Sequence, residues 1–200
     1  MTIKVFMEEA NITSLGPGLR YGIWLYGCDK KCAGCIYHKK ETSVFKTIEV
    51  DALVKRICAN KNIEGVTISG GEPFLQYNSL LDLLKKISNH NLGIIVYTGK
   101  KYNEIRSENN LKETLNYIDL LIDGEYIQKL DSKNSLIGST NQTAYFITKR
   151  YVQYESLYGI VGHRKTEVSI NNGEVHSVGL PTKETELIVE TIFGRRRKNG

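Results

Sequence analysis

A chain of 200 residues with 40% hydrophobic content holds enough apolar side chains for one globular core. No apolar run approaches the roughly 20 residues a membrane helix needs, so no membrane-spanning helix is expected. The net charge of +5 hints at nucleic acid, but four of those charges sit together in Arg195-Arg196-Arg197-Lys198; five less four leaves a body near +1, so no nucleic-acid function is read from it. The basic end, 194–200, reads as a solvated tail. No secretory leader opens the chain and its four cysteines show no evident pairing, so a soluble cytoplasmic protein is expected.

Taken in chain order, Tyr21–Tyr26 reads as a strand that delivers a loop bearing Cys28, Cys32 and Cys35, a C-x3-C-x2-C spacing. Apolar positions at helical spacing mark 48–59 as an amphipathic helix, with Cys58 a thiol of its buried side. Gly65–Ser69 is the next strand and leads into Gly70-Gly71-Glu72-Pro73. Leu80, Leu83, Leu84 and Ile87 give a second helix, Gly93–Tyr97 a third strand ending in Thr98-Gly99, and Ile118–Ile122 a fourth ending in Asp123-Gly124, with a weaker helix between them. Short apolar strands separated by helices predict a parallel sheet with right-handed crossovers that curls toward a barrel. Glu167–Ile170 and Glu174–Val178 read as a hairpin turning at Asn171-Asn172-Gly173. The chain is too short for eight βα units. The expected fold is therefore α/β, a partial, open β/α barrel with a small antiparallel C-terminal extension. One domain spans 1–200, with its core at about 12–150 and the extension at about 151–193.

Four glycine-rich or polar turns thus converge on the carboxyl ends of the strands, where α/β folds bind ligands. Three thiolates in one loop hold three of the four irons of a [4Fe–4S] cluster and leave one iron open. Read from its residues alone, the triplet has a rival. His38 extends it to C-x3-C-x2-C-x2-H, a Cys3His zinc set in a small interaction module. Gly70 and Gly71 let backbone approach a ligand closely, and Glu72 supplies charge for an ammonium group. Asp123 is placed either to hold ribose hydroxyls or to serve as a turn or cap residue.

The cysteine triplet followed by Gly70-Gly71-Glu72-Pro73 resembles the radical SAM enzymes. Gly16-Pro17-Gly18-Leu19-Arg20, Leu121-Ile122-Asp123-Gly124-Glu125-Tyr126 and Leu136-Ile137-Gly138-Ser139-Thr140-Asn141-Gln142 narrow the likeness to glycyl-radical-enzyme activases. Within that group the chain is most similar to the activating proteins of anaerobic ribonucleotide reductases, over roughly residues 12–150. The resemblance implies a [4Fe–4S] cluster held by Cys28, Cys32 and Cys35, and S-adenosylmethionine contacted by Gly34, Gly70, Gly71, Glu72, Thr98 and Asp123. It implies reductive cleavage of S-adenosylmethionine to a 5′-deoxyadenosyl radical, an oxidoreductase chemistry in which the cofactors carry the hard step. It also implies a large glycyl radical enzyme as partner and a flavodoxin- or ferredoxin-like electron donor. The Gly16–Arg20 motif is expected next to the cluster loop, and Gly138–Gln142 near the open side of the barrel. Ile36-Tyr37-His38-Lys39 departs from the family's usual residues after the third cysteine, and the tail beyond 150 is longer than minimal activators carry. A stand-alone radical SAM enzyme acting on a peptide or small metabolite is the alternative, with the 12 Tyr and the C-terminal hairpin shaping its pocket.

Overall fold

In the computed structural model, residues 1–37, 44–132, 135–159, 164–171, 174–180, 187, 188 and 191 are described. His38, the Asn172-Gly173 turn and the basic tail lie outside them. The centre is a seven-stranded sheet in the order β3-β1-β2-β4-β5-β6-β7. Its parallel heart is β2 (Arg20–Leu25), β4 (Gly65–Gly70), β5 (Gly93–Tyr97) and β6 (Leu120–Asp123). Three further strands, β1 (Thr2–Ile12), β3 (Lys46–Glu49) and β7 (Thr143–Phe146), extend this heart on both sides. β1 runs antiparallel to β2 and β3, and β7 antiparallel to β6. The sheet thus begins at Thr2, and Ile48, expected inside the first helix, instead pairs with Ile3 in β3.

Alternation along the parallel strands sorts their side chains into two layers. Tyr21, Ile23, Leu25, Val66, Ile68, Ile94, Val96 and Leu121 point to the face covered by helices. Helix α1 (Val50–Ala59) buries Val50, Leu53, Val54 and Ile57 there, and α2 (Tyr77–Ser88) buries Leu80, Leu83, Leu84 and Ile87. This i, i+3, i+4, i+7 stripe is what holds the helices on the sheet. The weaker helix breaks into α3 (Tyr102–Ser107), α4 (Asn109–Lys112) and a 3-10 turn, Glu113–Tyr117. On the other face, Ile95, Leu120 and Ile122 pack with Leu136, Ile137, Tyr151 and Tyr158. The two tyrosines come from the 3-10 helix Lys149–Tyr158, so the chain just past residue 150 is part of the core. Strands β8 (Thr166–Asn171) and β9 (Glu174–Gly179) form a separate antiparallel pair.

Arg20 opens β2 and is fully buried. Its guanidinium donates to Thr67 Oγ1 (2.5 Å), Pro17 O (3.0 Å), Tyr151 Oη (2.8 Å), Val66 O (2.7 Å) and Gly93 O (3.0 Å). All five N–H donors are therefore met by neutral acceptors at the amino ends of β2, β4 and β5. The cysteine loop leaves the opposite end of β2, about 16 Å along a strand of this length. The Gly16–Arg20 motif is thus a clamp at the amino end of the sheet and does not adjoin the cysteine loop. Arg20→Ala is expected to cost about 3–5 kcal/mol, since it opens a cavity and orphans several buried acceptors. A fall in melting temperature of about 10 °C in a thermal scan would show it.

Candidate functional site

The loop after β2 is set by its first residue. Gly27 N–H donates to the Tyr37 hydroxyl (2.8 Å), and Cys35 N–H donates to Cys32 O (3.2 Å). The ring of Tyr37, itself buried, packs edge-on against Phe6 with centroids 5.8 Å apart. Cys28, Cys32 and Cys35 are free and half-buried, and all three line one cleft of about 880 Å³. Burial pushes the Cys28 thiol up to about 11, and burial followed by the nearby Glu125 carboxylate also raises Cys32.

The turn after β4 is docked on that loop backbone to backbone. Gly71 N–H donates to Leu25 O (2.9 Å), and Glu72 N–H donates to Gly27 O (2.8 Å). A Cβ at Gly71 would sit 1.9 Å from Gly27 O, and Gly70 adopts φ +109°, so neither position admits a side chain. The close approach anticipated from the glycine pair is made here by the cysteine loop itself.

Glu72 is 1% exposed. Its Oε1 accepts from Phe74 N (3.0 Å) and Thr98 Oγ1 (2.8 Å), and its Oε2 accepts from Gly99 N (2.8 Å). One carboxylate therefore caps the 3-10 turn Pro73–Gln76 and ties the end of β4 to the end of β5. About four acceptor positions are available on a carboxylate, so capacity remains on Oε2. Burial outweighs these hydrogen bonds and Lys30, and holds Glu72 above the usual carboxylate range. A cationic group entering the cleft would relieve that penalty.

The turn after β6 and the 136–142 segment form one unit. Gln142 Oε1 accepts from Gly138 N (2.9 Å) and Ser139 N (3.0 Å), while its Nε2 donates to Gly124 O (2.6 Å). Asn141 Nδ2 donates to Glu125 O (2.9 Å). Gly124, Glu125, Tyr126, Gly138 and Gln142 all line the cleft. Asp123 stands behind that wall, 2% exposed. Its oxygens accept from Tyr102 N (2.8 Å) and Thr143 N (3.2 Å), and Lys101 Nζ lies 3.5 Å away.

Of the residues singled out from sequence, Cys28, Cys32, Cys35, Gly34, Gly70, Gly71, Glu72 and Thr98 thus meet in one cleft, whereas Asp123 supports its wall from outside. Three cysteine thiols on one cleft are the donor type an iron–sulfur cluster takes, each thiolate serving a separate iron; among the described residues no three carboxylate, imidazole or thiol groups are grouped to hold a single metal ion. Gly34, at φ +74°, leaves room against the Gln128 side chain that a Cβ would fill at 2.6 Å.

Residues 14–145 match the 4Fe–4S single cluster domain family. The chain is 31% identical over 150 residues to the anaerobic ribonucleoside-triphosphate reductase-activating protein of Pasteurella multocida, covering 70% of this chain and 92% of that one. It is 32% identical over 139 residues to the protein of the same description from Haemophilus influenzae (64% and 87%), and 30% identical over 144 residues to that of Escherichia coli (66% and 91%). The chain belongs to this family of activating proteins.

The family domain carries a 4Fe–4S cluster, the first of the two metal readings drawn from the cysteine spacing. Several walls of the cleft escape sequence reasoning. Lys30 Nζ bridges to Glu125 Oε1 (3.0 Å), and Cys32 Sγ lies 4.0 Å from Glu125 Oε2, which joins the cysteine loop to the β6 turn. Trp24 and Tyr97 reach the cleft from inward positions of β2 and β5, a consequence of strand alternation that the sequence does carry. Arg164 and Ser177–Leu180 line it from beyond the matched domain. Among the described residues, no helix is long and apolar enough to cross a membrane.

Proposed function

We propose that the chain is a radical SAM activase, and that its sheet is the open β/α barrel of that class. Cys28, Cys32 and Cys35 hold the cluster, and the turns bearing Gly34, Gly70, Gly71, Glu72 and Thr98 hold S-adenosylmethionine. One observation carries this reading: the three thiols and the Glu72 carboxylate share a single cleft at the carboxyl ends of the parallel strands. When bound, the reduced cluster and S-adenosylmethionine together supply a 5′-deoxyadenosyl radical able to abstract hydrogen from a strong C–H bond. The protein's part is binding and orientation. Glu72 receives the ammonium of the methionyl end on Oε2, Thr98 and Gly99 fix that carboxylate, and the Gly70-Gly71 contact with Gly27 keeps it in register with the thiols. Asp123, already engaged by two backbone amides, sets the Gly124 turn. The partner is an anaerobic ribonucleotide reductase, as the names of the relatives support. On it a backbone glycine would carry the final radical, with electrons delivered by a flavodoxin- or ferredoxin-like donor.

Release of methionine and 5′-deoxyadenosine from S-adenosylmethionine by the anaerobically reconstituted, reduced chain tests this function. Glu72→Gln keeps the size of the side chain but removes its charge. It is expected to weaken S-adenosylmethionine binding about tenfold while iron content stays unchanged. Unaltered binding would reduce Glu72 to a turn residue. A stand-alone enzyme with a peptide or metabolite substrate is the second reading. The feature on its side is the C-terminal segment, which encloses part of the cleft.

A further inference from the structure

The C-terminal segment from Arg164 to Leu180 lies beyond the family domain, which matches residues 14–145, yet it contributes Arg164, Ser177, Val178, Gly179 and Leu180 to the lining of the same cleft as the three cysteines. Three sets of contacts fasten it. At one end Arg164 Nη1 and Nη2 donate to Asp131 Oδ1 (2.7 Å) and Oδ2 (3.3 Å), and Nε donates to Leu180 O (2.6 Å). The Arg164 side chain is only 7% exposed, and Asp131 is also bonded by the Tyr126 hydroxyl at 2.9 Å. Three residues on, the Glu167 carboxylate accepts from Thr13 N (2.9 Å), Thr13 Oγ1 (3.1 Å) and Ser14 N (2.9 Å). Opposite Glu167 in the β8–β9 pair, Val178, 2% exposed, packs on Ile12 and Leu15, with Met7 and Trp24 against the same cluster. Gly179, at φ +103°, brings its backbone onto Ser14, where a Cβ would stand 3.0 Å from that side chain.

A loose surface appendage would show neither a bidentate arginine pair removed from solvent nor a carboxylate collecting three donors from a distant turn. These contacts tie the segment both to the turn after β1 and to Asp131. We propose that Arg164 and residues 177–180, carried by the β8–β9 pair, form a wall of the cofactor cleft that screens the cysteine loop from solvent. The proposal rests on reading this cleft as the cofactor site. It makes the extension part of the reaction chamber, able to restrict the entry of water and oxygen to the cluster and to narrow the path of any substrate segment.

The test is thiol alkylation of the full, reduced, metal-free chain with a small neutral maleimide, followed by peptide mass spectrometry. Cys58 serves as internal reference, because it packs on the helix-covered core away from the cleft. The double variant Arg164→Ala, Glu167→Ala is expected to raise the alkylation rate of Cys28, Cys32 and Cys35 relative to Cys58 about fivefold, as local opening frees the cleft. Equal ratios in variant and wild type would overturn the proposal. So would a matching acceleration at Cys58, which would make the segment a general support of the fold. If the double variant fails to fold, Glu167→Gln alone carries the test with an expected increase of about twofold. Since no metal is present, the outcome does not depend on whether the chain takes up iron. A chain that excludes iron but shows the expected alkylation would sink the cluster assignment and leave the wall standing.

Discussion

Cys28→Ala, Cys32→Ala and Cys35→Ala are each expected to abolish cleavage of S-adenosylmethionine, while Cys58→Ala keeps it. The three thiols line the cleft; on the proposed assignment each would serve a separate iron, so losing any one would leave a second iron without a protein ligand. Cys58 sits on α1 and packs against the helix-covered core, where a small apolar replacement changes little. Wild type and Cys58→Ala should reconstitute to about four irons and four sulfides per chain, as one cubane requires. The three cleft variants should hold markedly less iron and release 5′-deoxyadenosine only at background. Iron and sulfide analysis read beside product release checks both halves. Full activity in any of the three would remove that thiol from the ligand set.

The second large effect comes from a residue without a side chain. Gly71→Ala is expected to destabilise the chain by about 2–4 kcal/mol and to lower cluster retention with it. The new Cβ would fall 1.9 Å from Gly27 O and 2.5 Å from Gly27 C, both backbone atoms that no rotamer change can move aside. Relief requires the end of β4 to part from the cysteine loop, which breaks the bond from Glu72 N–H to Gly27 O and tilts the carboxylate away from the thiols. Thermal unfolding should fall by several degrees for Gly71→Ala. A melting temperature equal to that of the wild type would mean that the two loops are not mutually braced.

The heart of the sheet was legible because its signal is local. Val66, Ile68, Ile94 and Val96 lie in short apolar runs, and the stripes of α1 and α2 repeat at helical spacing. The outer strands were not. In β1 the buried alternation of Ile3 and Val5 fades into the half-buried Met7-Glu8-Glu9-Ala10, which reads as a polar stretch. β7 is four residues long, with Thr143 exposed and the other three side chains only partly buried. Both become strands through pairing with β2 and β6, a tertiary cause that no window of sequence carries. The site divides in the same way. The cysteine spacing and the Gly-Gly-Glu-Pro turn announce their chemistry by residue type, whereas the Arg164 and Glu167 contacts join residues more than thirty and more than one hundred and fifty positions apart. Arg20 shows a different failure: its place at the amino end of a strand whose other end carries the cysteines is implied by chain order, but its buried acceptors on Thr67, Val66, Gly93 and Tyr151 are long-range contacts that the sequence does not carry.

The central claim is that the cleft generates a radical for a glycine on another protein. Electron paramagnetic resonance on the reduced, reconstituted chain mixed with the anaerobic ribonucleotide reductase of the same cell and S-adenosylmethionine tests it most directly. The account predicts a doublet from a glycine Cα radical on the reductase, collapsing when the reductase carries α-deuterated glycine and missing when Cys32→Ala replaces the wild-type chain. If S-adenosylmethionine is consumed and a peptide or metabolite is turned over while no protein-centred radical forms, the activase assignment is contradicted.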